Sequence, residues 1–72
     1  MKFYDYIKVL GYVNSDTPKD ERLLNFLIYN FKSVNMSCEG SSLLIQGYQT
    51  KIDMLNICLY LEKNGFTYEA FN

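Results

Sequence analysis

Leu24-Asn25-Phe26-Leu27-Ile28-Tyr29 returns later in the chain as Leu55-Asn56-Ile57-Cys58-Leu59-Tyr60. The likeness extends upstream. A Gly-Tyr pair precedes each stretch, Gly11-Tyr12 and Gly47-Tyr48, and a Thr-x-x-Asp lies between, Thr17 to Asp20 and Thr50 to Asp53. Each Gly-Tyr ends a run of apolar residues that suits a strand. Each Thr can cap a helix by accepting from backbone N–H groups left open in the first turn, with the Asp placed to reach back. Both copies therefore read strand, turn, cap, amphipathic helix, short strand. Two such βαβ-like halves, about 3–39 and 41–71, predict one domain over 1–72 with an internal pseudo-repeat. The expected fold is α+β: a ferredoxin-like βαββαβ sandwich, a four-stranded antiparallel sheet with two helices on one face.

Residues 2–13 are rich in Tyr, Val and Ile, as strands are. A helix competes there, because Phe3, Tyr6, Ile7 and Leu10 fall at helical spacing and Gly11 could end it. The repeat favours the strand, since its second copy, Leu43 to Tyr48, is short and bounded by Gly40-Ser41-Ser42. Pro18 at N1 and the acids Asp20 and Glu21 suit a helix start. That helix is expected to run to about Lys32, with Leu24, Leu27, Ile28 and Phe31 as its apolar stripe and Leu23 alongside. Asn35 to Glu39 reads as a polar edge strand. The second helix, ending at Gly65, is apolar almost all round: Ile52, Met54, Leu55, Ile57, Cys58, Leu59, Leu61. Such a helix is either deeply covered or meets another chain. Phe66 to Phe71 supplies the last strand.

Strand alternation sends Ile7, Val9, Leu43 and Ile45 toward the helices. Tyr4, Tyr6, Lys8, Leu10, Tyr12, Leu44, Gln46 and Tyr48 then fall on the bare sheet face. A patch that rich in tyrosine and leucine marks an interaction site, and these residues are the candidate partner-binding set.

Composition narrows the function classes. The chain has 72 residues, 49% hydrophobic and 17% aromatic, enough for one core and too apolar for disorder. A domain this small buries only roughly 60% of its unfolded surface. Self-association is a common remedy, so a homodimer is expected. Seven basic and eight acidic residues are scattered to a net charge of −1, and no basic block announces nucleic acid. Cys38 and Cys58 are too few for a disulfide framework, and Cys58 suits a helix core. Asp5 interrupts any leader-like apolar run, and neither helix is long enough to span a membrane. A cytoplasmic protein is expected, in the host cytoplasm if it is viral.

Catalysis finds no footing in the residues. Histidine is absent, and no Cys-x-x-Cys, phosphate-binding loop or Gly-x-Ser-x-Gly occurs. Helix capping accounts for the acids Asp16, Asp20 and Glu21, and Arg22, the sole arginine, reads as a solvated helix residue. No enzyme, cofactor or metal is expected.

Two resemblances bear on alternatives. Aromatic residues on the central strands of such a sheet, Tyr4, Tyr6, Tyr12 and Tyr48, resemble the RNA-recognition motif, which stacks bases on that face. That likeness implies single-stranded RNA binding. The basic-Gly-aromatic pattern of that family's third strand is missing from Leu43 to Tyr48, and Lys8 is the only cation on the face. The turn Asn14-Ser15-Asp16-Thr17-Pro18 and the ending Leu61-Glu62-Lys63-Asn64-Gly65-Phe66 look like those of ACT domains, which implies a small-molecule-sensing regulator. Lys19 stands where that family carries the glycine that lets a ligand approach. The residues themselves favour a small protein-binding module that acts by occlusion. A phage or mobile element could encode it as an inhibitor of a host machine such as a defence nuclease.

Overall fold

A computed structural model describes residues 3–12 and 17–72. The elements run β1 (Tyr6–Leu10), α1 (Pro18–Asn30), β2 (Asn35–Glu39), β3 (Ser42–Gln46), α2 (Lys51–Lys63) and β4 (Thr67–Phe71). The strands form one sheet of order β2-β3-β1-β4, and every neighbouring pair is antiparallel. This is the ferredoxin-like α+β fold that the repeat predicts, with the first segment a strand.

Local chemistry starts both helices in the same way. Thr17 Oγ1 accepts from the Asp20 N–H at 3.1 Å, and Thr50 Oγ1 accepts from the Asp53 N–H at 3.1 Å. The end of α2 is a Schellman motif. The Phe66 N–H donates to Leu61 O at 2.9 Å, and the Gly65 N–H donates to Glu62 O at 3.3 Å. Lys19 Nζ donates to Gly65 O at 3.1 Å, and Phe26 stacks on Tyr60 at 4.0 Å. Rising numbers on α1 thus meet falling numbers on α2, so the helices run antiparallel.

The core lies between the helices and one sheet face. Ile7, Val9, Leu43 and Ile45 point into it as alternation requires, meeting Leu23 and Leu27 of α1 and Met54, Ile57, Cys58 and Leu61 of α2. Two expectations change here. The buried stripe of α1 is Asp20, Leu23 and Leu27, whereas Leu24 and Phe31 are half-buried and Ile28 is exposed. The helix is rolled by about one residue from the expected stripe, because docking on the sheet selected Leu23 over its chemically identical neighbour. On α2 the surplus apolar residues divide: Leu55 is half-buried, while Ile52 and Leu59 face outward.

The larger correction concerns the Gly-Tyr pairs. β1 ends at Leu10 and β3 at Gln46, so the pairs lie just past the strands. Gly11 and Gly47 have φ of 69° and 86°, the left-handed region open to glycine. Each breaks the strand alternation, and the tyrosine after it points into the core; past Gly11 the chain still runs beside β3, the Tyr12 N–H donating to Ser41 O at 2.9 Å. Tyr12 is 2% exposed and Tyr48 6%. Strand alternation had assigned both to the opposite face. After both glycines the tyrosine lies in the core.

Candidate functional site

The face of the sheet turned from the helices is covered by no described element. Register fixes what stands there. Three cross-strand rows cross it: Asn35–Gln46–Tyr6–Phe71, Ser37–Leu44–Lys8–Glu69 and Glu39–Ser42–Leu10–Thr67. The residues between them, such as Ile7, Val9, Leu43 and Ile45, point the other way into the core. Tyr6 and Phe71 stack at 5.2 Å with planes 21° apart, closing one end of the face. Leu44 and Leu10 continue the apolar strip, Lys8 lies between Leu44 and Glu69, and Glu39 stands at the far corner.

Tyr6, Lys8, Leu10, Leu44 and Gln46 therefore share one surface, as alternation predicts. Tyr4, Tyr12 and Tyr48 do not. Tyr4 precedes β1 and packs, half-buried, against the core. Its N–H donates to Met54 Sδ at 3.3 Å, and its carbonyl accepts a short hydrogen bond from the Tyr48 hydroxyl. Tyr48 also meets Phe3 edge to face at 5.5 Å. These contacts make the tyrosines part of the scaffold that supports β1. Phe71 is the member that alternation in the first and third strands misses. Its signal lay in the last strand, where period two along Thr67–Phe71 places Thr67, Glu69 and Phe71 together.

Burial marks the core phenols. The Tyr48 phenol is pushed up to about 12 by burial, with negative charge on Cys58 and Asp5 acting in the same direction. Burial also raises the Cys58 thiol and the Tyr68 phenol, and the Tyr68 hydroxyl donates to Glu62 Oε2 at 2.9 Å. An unfolded tyrosine loses its proton near pH 10. The neutral folded form therefore contributes its full stability below about pH 10, and that contribution falls as pH rises toward 12. Cys58 and Tyr68 act with the same sign. Denaturation midpoints are expected to decline through this alkaline range, and more shallowly in Tyr48→Phe. A midpoint that stays level there would show that the phenols are not buried.

A second surface lies on the outer side of the helices. Between them runs an open groove of about 440 Å³, floored by the Phe26–Tyr60 stack and edged by Asn30, Asn56 and Leu59, with Asp53 and Lys63 also lining it. A smaller cavity of about 240 Å³ lies by Gly11, Thr17, Lys19 and Phe66. There the Lys19 ammonium sits 4.3 Å from the Phe66 ring centre while bonding Gly65 O. Lys19 thereby ties the start of α1 to the end of α2. Of the ligand-sensing turn expected at Asn14 to Pro18, residues 14–16 lie outside the described residues, and Thr17 and Pro18 are the N-cap and first residue of α1.

Among the described residues no group of three or more His, Cys, Asp or Glu side chains is placed to hold a metal ion, and no helix is long and apolar enough to cross a membrane. Comparison with protein-family models, curated proteins and solved structures finds no match.

Proposed function

We propose that this chain is a protein-binding module that offers its open sheet face to a protein partner and acts by covering that partner's surface. One observation carries the reading. Tyr6, Phe71, Leu10 and Leu44 form an apolar strip, Lys8, Glu69 and Glu39 supply fixed charges around it, and no described element covers it. Apolar centres with charged and polar surroundings are the usual anatomy of protein interfaces. Charge favours protein over nucleic acid: among the described residues the face carries one cation against two carboxylates, so it lacks the electrostatic term that drives phosphate binding.

A photo-crosslinking residue at Gln46, exposed at the edge of the strip, provides the test. A discrete protein adduct is expected in cells that contain the partner, and Tyr6→Ala is expected to abolish it. Diffuse background labelling, or an adduct indifferent to Tyr6→Ala, would sink the reading. Adducts made of RNA would replace it with base stacking on Tyr6 and Phe71.

A further inference from the structure

The outer helical surface differs in chemistry from the sheet face. Ile28 and Tyr29 of α1 and Ile52 and Leu59 of α2 are all exposed, Tyr29 at 82% and Ile52 at 69%. Helical periodicity places Ile52 and Leu59, seven residues apart, on one stripe of α2. Interfaces between permanent partners are more apolar than transient ones. We infer that the outer helical layer is the contact surface for a second copy of this chain, packed face to face about a two-fold axis that crosses the helices.

Charge says why a second copy fits. Asp53 and Lys63 line the same groove from opposite ends of α2, about 15 Å apart along the helix axis. A two-fold axis across the helices reverses the second copy, so each Asp53 faces the partner's Lys63. The interface is isologous, and both pairs form at once. That register brings the two Leu59 side chains together near the axis. The same level on α1 follows from the antiparallel pairing of Lys19 with Gly65 and Phe26 with Tyr60, and it falls at about residues 26–28, within a turn of the exposed Ile28 and Tyr29. Leu59, Ile28 and Tyr29 thus gather near the axis, while Ile52 lies farther out beside the paired charges.

Area says how much must be covered. A standard interface takes roughly 800 Å² from each partner. Against a total surface of 4512 Å² that is close to a fifth, and the exposed apolar residues that would supply it lie on both helices. This arrangement leaves the two sheet faces pointing outward, free for the proposed partner.

The test is molar mass by light scattering across a wide concentration range. The wild-type chain is expected to approach twice 8.5 kDa. Leu59→Lys, at an exposed position, is expected to stay at 8.5 kDa with unchanged helical circular dichroism. Asp53→Lys and Lys63→Asp each oppose like charges at both ends of their own dimers, and each should weaken self-association more than tenfold. Mixing these two variants places the new lysine of one opposite the new aspartate of the other and keeps the native pair at the far end. The mixture should recover the dimer mass that neither variant reaches alone. A wild-type chain that stays monomeric overturns the proposal, as does a dimer that survives Leu59→Lys. A mixture no heavier than its components overturns the two-fold register.

Discussion

Gly47→Ala is expected to be among the most damaging single substitutions in this protein, costing roughly 2–5 kcal/mol. Two effects add. An L-residue held in the left-handed region costs about 1–2 kcal/mol, and Gly47 sits there at φ 86°. A Cβ at this position would also lie 2.5 Å from the Ser33 carbonyl oxygen and 3.2 Å from Asn35 Nδ2. The carbonyl is backbone and cannot rotate away, and forced overpacking costs about 1–3 kcal/mol. Ser33 Oγ donates to Gly47 O at 2.7 Å, so any shift that relieves the clash strains that bond as well. Gly11→Ala is the control. Its φ is 69°, yet no described residue lies within 4 Å of the added Cβ, so the conformational cost of about 1–2 kcal/mol is the one that applies. Chemical denaturation should separate the two by at least a factor of two. Equal losses would mean that the turn after β3 relaxes freely and that Tyr48 does not depend on it. A chain of 72 residues has only about 4–11 kcal/mol in total, so Gly47→Ala should remove a large share of the stability and lower the denaturation midpoint accordingly.

Leu27→Ala and Ile57→Ala form the second large effect, each expected to cost about 2–5 kcal/mol. Both residues are fully buried, one on each helix, and each truncation leaves a cavity bounded by the central strands. Leu24→Ala and Leu55→Ala should cost clearly less, about 1–2 kcal/mol, because those residues are half-buried and the space they leave opens toward solvent. The comparison tests the roll of α1 directly. A Leu24→Ala loss as large as that of Leu27→Ala would place the expected stripe, not the observed one, against the sheet. Denaturant midpoints at constant slope provide the measurement.

The candidate site was legible only where strands are regular. Along Tyr6–Leu10 and Ser42–Gln46 the period of two sorts side chains correctly, and Tyr6, Lys8, Leu10, Leu44 and Gln46 share the open face. Extending that period through Gly11 and Gly47 misplaced Tyr12 and Tyr48, since a residue with positive φ breaks the alternation. The repeated Gly-Tyr pair was visible in the sequence, but the direction of the following tyrosine depends on where the helices sit. Tyr4 was misplaced by the same extension in the other direction, beyond the start of β1.

The sequence by itself determined the order of elements, both N-caps, the end of α2 and the fold class. Each of these rests on contacts between residues close in the chain: hydroxyl to N–H three residues on, carbonyl to N–H across a helix end, and period within one strand. The tertiary structure alone decided which of Leu23 and Leu24 is core, which tyrosines are scaffold, and which apolar residues of α2 remain outside. Those choices compare residues of equal hydrophobicity. They are settled by which one finds a cavity of the right shape on an element distant in the chain, and no local pattern encodes that shape.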